Sequence, residues 1–222
     1  MRPSLVIFDC DGVLVDTEPM SNALMAEVLQ AEGMEIDVVG CMARFVGKSM
    51  TSVQQEVEAE LGRPLGDNWS RDFRHKTIAA FRKRGVEAIP NIRQAISAID
   101  AAEIPICVAS SGSIEKMHAS LGASDLLDRL RDVLFTADSV ARGKPAPDLF
   151  LFAAQQMGHT PETCVVVEDS RFGIEAAAAA GMRALAYTAA PNACVGDMAE
   201  LGGELFEDMA ELPALLGLEA RP

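Results

Sequence analysis

The segment that most constrains this chain is Leu5-Val6-Ile7-Phe8-Asp9-Cys10-Asp11-Gly12-Val13, in which four apolar residues run straight into two carboxylates one residue apart. A short apolar run with no polar alternation reads as a strand buried on both faces, as in parallel sheets. The Asp and Gly that end it mark the strand's C-terminal edge, and open α/β sheets take their ligands at that edge. Asp9 and Asp11 would leave the strand together. Two like charges so close share a cation or a proton, or lie in water. Asp and Gly are also ordinary turn residues, so this segment alone leaves an acid-rich turn open. Cys10, between the acids, points by alternation to the opposite face and reads as a buried structural thiol.

Three later segments supply partners. Val165-Val166-Val167-Glu168-Asp169-Ser170 is a second β-branched run capped by two acids, and Ile106-Cys107-Val108-Ala109-Ser110-Ser111-Gly112 is an apolar run ending in hydroxyls and glycine. Between them lies Gly143-Lys144-Pro145-Ala146-Pro147-Asp148. Proline fixes φ and suits the first turn of a helix, so Lys144 sits on backbone with little freedom. Strand ends that deliver acids and hydroxyls, with one rigid lysine, suit a phosphate-and-metal site.

The ordered set resembles the haloacid dehalogenase-like (HAD) superfamily of aspartyl phosphoryl-transfer enzymes. It is most similar to the β-phosphoglucomutase and sugar-phosphate phosphatase branch, whose members carry an α-helical cap after the first strand. Asp9-Cys10-Asp11-Gly12-Val13 matches the family's first motif, Ser110 the second, Lys144 the third and Glu168-Asp169 the fourth. The resemblance implies a Rossmann-like core, a mobile cap and a Mg²⁺ cofactor. It makes Asp9 the nucleophile that forms an aspartyl-phosphate, and Asp11 the group that protonates the leaving alcohol and then deprotonates water. Mg²⁺ would be held by Asp9, Asp169 and the backbone carbonyl of Asp11, with Glu168 completing the shell or holding a bound water. Ser110 and the backbone N–H groups of Ser111 and Gly112 would hold phosphoryl oxygens, while Lys144 offsets the developing charge. Glu168 also suits a salt bridge to a core arginine, and Ser110 or Ser113 could cap the helix that follows.

The mutases of this branch carry a histidine where this chain has Ser21, whereas Asp16-Thr17-Glu18-Pro19 looks more like the phosphatases. The dehalogenases lack the second acid that Asp11 provides. The expectation is a Mg²⁺-dependent phosphatase acting on a small phosphate monoester, a sugar phosphate or related metabolite. The alternatives are a β-phosphoglucomutase-like phosphotransferase and a non-catalytic phospho-ligand-binding protein.

Bulk properties narrow the class further. A formal net charge of −14 over 222 residues argues against a nucleic-acid or membrane-surface partner, which needs a basic face. A small anionic substrate stays compatible, because a lysine and a metal reverse the local field. Five irregularly spaced cysteines, with no signal peptide, suggest reduced thiols and a cytoplasmic location. No apolar run approaches a membrane span, and a monomer or weak homodimer is expected. His75, His118 and His159 show no ligand spacing.

The expected fold is an α/β, Rossmann-like, doubly wound parallel sheet interrupted by an all-α helical-bundle cap. Residues 1–15 and 88–222 form the core and residues 16–87 the cap. In the cap, Leu24/Val28 and Met25/Leu29 are i,i+4 apolar pairs ending at Gly33. Ser49 could cap a helix carrying Val53, Val57 and Leu61. Asp67 could cap another, with Trp69, Phe73 and Phe81 inward and Gly85 as its stop. Hinges are expected near Val15–Thr17 and Val86–Pro90. Of the cap cations, Arg44 and Lys48 flank Gly47 in an expected loop and Lys76 lies mid-helix; all three could meet the substrate or be solvated charges. After Ala88 the pattern alternates: helix 91–103, strand 105–109, helix 113–121, strand 132–136, helix 147–157, strand 163–167, helix 171–180 and strand 182–187. Alternation of this kind implies a parallel sheet covered on both faces. A peripheral strand or helix is expected after Ala190.

Overall fold

The apolar runs at residues 5–8, 106–110 and 164–168 form the centre of one sheet, and the reason lies in their two-sided burial. The structure is a computed structural model that describes residues 2–45, 50–189 and 194–218. In chain order the core strands are β1 (Leu5–Phe8), β4 (Ile106–Ser110), β5 (Leu134–Thr136), β6 (Cys164–Glu168), β7 (Arg183–Tyr187) and β8 (Glu204–Phe206), arranged β5-β4-β1-β6-β7-β8. Every pairing is parallel. Val6, Phe8, Val108, Val165 and Val167 face one apolar layer with α5 (Ile92–Ala101), α6 (Ile114–Ala123) and α11 (Leu212–Leu215). Leu5, Ile7, Cys107, Ala109, Cys164 and Val166 face the other, with α8 (Asp148–Met157), α9 (Arg171–Ala179) and α10 (Val195–Glu200). No face of β1, β4 or β6 meets water, which is why their sequences do not alternate.

The chain winds from β1 outward through β4 and β5, then returns to β1's other side for β6, β7 and β8. A doubly wound sheet opens a crevice where the winding reverses. Here Phe8 pairs with both Val108 and Val167, so the ends of β1, β4 and β6 lie level at that point. The expected strands and helices of this region are all present. A four-residue helix, α7 (Leu127–Leu130), was not foreseen, and the C-terminal stretch holds strand and helix together.

The described elements between residues 18 and 84 are all helices: α1 (Glu18–Ala31), α2 (Val38–Phe45), α3 (Met50–Leu61) and α4 (Trp69–Arg84). Leu24, Met25, Val28, Leu29, Val53, Val57, Trp69 and Phe73 share one apolar cluster separate from the sheet's layers. Several details differ from the sequence expectation. The chain enters and leaves this region as an antiparallel pair, β2 (Val15–Asp16) with β3 (Glu87–Ala88), so the connection is a hydrogen-bonded ribbon. Arg44, expected in a loop with Gly47 and Lys48, lies in the last turn of α2, while Gly47 and Lys48 lie outside the described residues. Asn68, not Asp67, occupies the N-cap position of α4, without a side-chain cap bond. Ser49 lies outside the described residues. Gly85 does end α4, at φ 84°. The helix α4 belongs to both layers: Trp69 and Phe73 sit in the cap cluster, Ile78 and Phe81 in the sheet's layer.

Candidate active site

Asp9 follows the last residue of β1 and is buried, its N–H donating to the Val167 carbonyl at 3.0 Å. One carboxylate oxygen, Oδ1, accepts from Lys144 Nζ at 2.6 Å. Lys144 also donates to Glu168 Oε1 at 2.7 Å, and its ammonium stands 4.8 Å from the centre of the Phe150 ring. The proline-flanked loop thus delivers a buried lysine to two acids from two strands; the Lys144–Pro145 peptide is cis. Burial holds the Asp9 carboxyl above the usual range, with Lys144 opposing and Glu168 and Asp11 adding to the rise. Burial would depress the Lys144 ammonium, but Asp9 and Glu168 outweigh it and raise it.

Glu168, the last residue of β6, is held by four donors. Besides Lys144, its Oε2 accepts from the Asp169 N–H at 2.9 Å, the Ser170 N–H at 2.7 Å and Ser170 Oγ at 2.8 Å. Its salt-bridge partner is therefore a lysine, not a core arginine, and its oxygens serve as an anchor for Lys144 and for the start of α9. Room for this comes from Gly173, where an added Cβ would stand 2.5 Å from Glu168 Cγ and nearer still to its carboxylate. Asp169 lies against Gly12 in the same way: at φ +81°, Gly12 leaves the space that a Cβ would take 2.7 Å from Asp169 Cγ. Burial pushes the Asp169 carboxyl well up, and Glu168 and Asp9 push it further.

Asp11 sits differently. Its Oδ1 accepts from Thr17 Oγ1 at 2.7 Å and its Oδ2 from Lys116 Nζ at 2.7 Å. Burial would raise this carboxyl, but Lys116, then Thr17, hold it below the usual range. Thr17 is at the N-cap position of α1, yet its hydroxyl makes no capping bond and goes to Asp11 instead. Neither Thr17 nor Lys116 stood out in the sequence as a site residue. The available signals were that Thr17 lies within the Asp16–Pro19 stretch and that Lys116 lies in the first turn of the helix leaving the Ser110–Gly112 loop.

Ser110 ends β4, buried, and its Oγ accepts the Gly112 N–H at 3.0 Å. The Gly112 N–H expected to hold phosphate is engaged there, while Thr136 Oγ1 holds the Gly112 carbonyl at 2.7 Å. Of the two cap candidates for α6, Ser113 is the cap, accepting from the Lys116 N–H. A cavity of about 490 Å³ opens above this loop, with Asp11, Ser111, Gly112 and Lys116 on its sheet side and Phe73, Arg74 and Thr77 on its α4 side. Ser21 also lines it. Of the three cap cations that could meet the substrate or be solvated, Lys76 and Arg44 do not line this cavity. Lys76 opens onto a different recess, beside Trp69 and Asp72. Arg44 is paired with Glu56 at 3.1 Å and Glu60 at 2.7 Å. Lys48 lies outside the described residues.

The donor chemistry fits a hard cation. Asp9, Glu168 and Asp169 are three buried or half-buried carboxylates with one lysine among them, an excess of negative charge that a divalent ion with oxygen ligands would balance. Among the described residues no three acidic, histidine or cysteine side chains group as a ready-made cage. Glu168 is engaged by Lys144, by Ser170 Oγ and by two backbone N–H groups. The side-chain oxygens left for a metal are those of Asp9 and Asp169.

Residues 3–181 match the family model for haloacid dehalogenase-like hydrolases. The chain is 32% identical over 191 residues to the 6-phosphogluconate phosphatase of Escherichia coli (strain K12), covering 86% of this chain and 85% of that one. It is 33% identical over 181 residues to the fructose-1-phosphate phosphatase of the same organism, covering 81% and 94%. A conserved haloacid dehalogenase-like protein from Agrobacterium tumefaciens str. C58 superposes with a TM-score of 0.81 at 32% identity, over 98% of this chain and 99% of that one. The chain belongs to the haloacid dehalogenase-like hydrolase family.

Proposed function

We propose that this hydrolase acts on a small phosphate monoester, a sugar phosphate or related metabolite, with Mg²⁺ as cofactor and an aspartyl-phosphate on Asp9 as intermediate. The observation that carries this reading is the unequal treatment of the two acids. Asp9 is buried beside Lys144 with only Oδ1 hydrogen-bonded among the described residues, so Oδ2 is left to attack. Asp11 lines the cavity with both oxygens held. The curated relatives named as 6-phosphogluconate, hexitol and fructose-1-phosphate phosphatases support a sugar-phosphate substrate.

Asp9, Asp169 and the Asp11 carbonyl would hold Mg²⁺, whose charge offsets that of the phosphate dianion. Asp9 then attacks phosphorus, splitting the transfer into two steps. Lys144 stays paired to the Asp9 carboxylate and balances charge as it builds on the phosphoryl oxygens. Ser110 and the Ser111 N–H lie at the adjoining strand end to bind those oxygens. Asp11 protonates the leaving alcohol and then takes a proton from the attacking water. It acts once one of its oxygens has left Thr17 or Lys116, so a turn of this side chain belongs to the reaction path. Sequestration from water comes from the helical cap, residues 16–87, moving over the sheet's edge about the β2–β3 ribbon.

Phosphate release from an aryl phosphate and from a panel of sugar phosphates, with Mg²⁺ and with excess chelator, tests the reading. Turnover with Mg²⁺, its loss on chelation and its loss in Asp9→Asn are expected. Full activity in chelator, or a phosphoryl group trapped on a residue other than Asp9, would overturn it.

A further inference from the structure

The cavity is far larger than a phosphate needs, and its volume of about 490 Å³ falls within the range of small-molecule sites, about 300–1,000 Å³. Among the described residues two cations line it. Lys116 is committed to Asp11 at 2.7 Å. The other, Arg74, is on α4, on the wall opposite the strand ends. Its isolation sets it apart from its neighbours. Six arginines lie between residues 18 and 84. Arg44, Arg63, Arg71, Arg82 and Arg84 each pair with a carboxylate, from Glu56, Glu32, Asp72, Glu115 and Glu27 in turn. Arg74 alone has no acid partner among the described residues, in a chain with 33 acidic and 19 basic residues. Asp138 lines the same cavity from the sheet side without reaching it.

Helix phase explains why Arg74 and not Lys76 faces inward. Two residues are about 200° around a helix, so the two cations project from opposite sides. Phe73 and Thr77, one before and three after Arg74, also line the cavity, which fixes the inward side of α4. Ser70, four residues before Arg74, lines it too, though its hydroxyl already donates to Gln54. An unpaired guanidinium on such a wall is built to take a planar anion through two parallel N–H bonds. On the phosphatase reading the scissile phosphate lies at the strand ends, where Asp11, Ser111 and Gly112 form the sheet side of the cavity, so Arg74 on the α4 side would meet the other end of the substrate.

We propose that Arg74 binds a second anionic group, a carboxylate or a second phosphate, at the substrate end remote from the scissile ester. The preferred substrates are then phosphorylated sugar acids or sugar bisphosphates, not neutral sugar monophosphates. This rests on the phosphatase reading and narrows it.

The test compares steady-state kinetics of the whole protein and its Arg74→Gln and Arg74→Lys variants on four Mg²⁺-supplemented substrates. These are an aldohexose 6-phosphate, the matching hexonate 6-phosphate, a ketohexose 1,6-bisphosphate and an aryl phosphate. Wild type should prefer one of the two doubly anionic sugars. Arg74→Gln should lower kcat/KM for that sugar by about 10–100-fold, mostly through KM, the scale of one lost charge-assisted pair. The loss on the aldohexose 6-phosphate should be at least tenfold smaller, and Arg74→Lys should fall between. Whichever of the hexonate and the bisphosphate loses more identifies the anion. Equal losses on all sugars, no loss, or a wild-type preference for the neutral sugar overturns the subsite while aryl phosphate turnover leaves the phosphatase reading intact. Release from none of the four substrates overturns both.

Discussion

Replacing Gly173 by alanine adds one carbon where the structure has none to spare. In an ordinary helix this exchange stabilises by about 0.5–1 kcal/mol. Here the new Cβ would sit 2.5 Å from Glu168 Cγ and nearer to its carboxylate, so the glutamate has to withdraw. Glu168 is almost fully buried and bound by four donors, three of them in the Asp169–Ser170 turn and one on Lys144. Losing two of four charge-assisted bonds costs about 3–6 kcal/mol, and the helix gain recovers about 1. The net loss of about 2–5 kcal/mol corresponds to a fall in Tm of about 4–20 °C for a chain of this size. With Glu168 displaced, Lys144 keeps only Asp9, and kcat/KM should fall by about 10–100-fold, the range of a mispositioned catalytic group. Thermal unfolding followed by circular dichroism, with phosphate-release kinetics on the same preparation, checks both numbers. A Gly173→Ala protein with unchanged or raised Tm and full activity would refute the idea that Glu168 is a fixed anchor.

Asp11→Asn should leave Asp9 able to attack but slow turnover by about 10²–10⁴-fold, the usual reach of general acid–base catalysis; a rate within a factor of three of wild type would exclude the role. Lys116→Met removes the cation that holds the Asp11 carboxyl low, so burial prevails and the group titrates at higher pH. Because the ionised form is needed as base, the acidic limb of the kcat–pH profile should move to higher pH, and an unmoved limb would count against it. Asp169→Asn removes a hard oxygen donor and should raise the Mg²⁺ concentration for half-maximal activity by at least tenfold, measured by metal titration of the rate. Gly12→Ala forces both a left-handed φ and a collision with Asp169, and should yield less soluble protein with a lower Tm than Gly173→Ala.

The parts legible in the sequence were those written locally. Buried parallel strands need unbroken apolar residues, and the acids, hydroxyls and lysine of the site stand beside strand ends or prolines. Residues 5–13, 106–112, 143–148 and 165–170 therefore declared themselves. The site's remaining members are linked across distance. Lys116 meets Asp11 over 105 positions, and nothing near Lys116 marks it as different from other exposed-looking helical lysines. Lys76 stood among the cap cations that could meet substrate or be solvated and Arg74 was not among them; helix phase, which two residues reverse, is what puts Arg74 on the cavity wall. The fourth motif made Glu168 a metal neighbour or a salt-bridge partner, while its bonds to Lys144 and to the backbone N–H groups of residues 169 and 170 carry no mark in a sequence. Strands β2 and β3 hold two residues each, too few for any periodicity, and eight-residue α2 offers barely two turns.

The position of β1 in the sheet also sets an order for biosynthesis. Its neighbours are β4 and β6, so Val6 pairs with Ile106 and with Val165, 100 and 159 residues later in the chain. At about 5–20 residues per second of synthesis, the first strand waits roughly 5–20 s for one flank and longer for the other. During that interval Leu5-Val6-Ile7-Phe8 is an apolar segment with both edges unpaired and both faces bare. The helices of residues 18–84 emerge meanwhile and draw mainly on their own cluster. The nascent chain therefore carries an unpaired apolar strand at the front and a self-contacting helical group behind it. The strand that places Asp9 in the site is thus also one that stays without both its partners for much of the time the protein is being made.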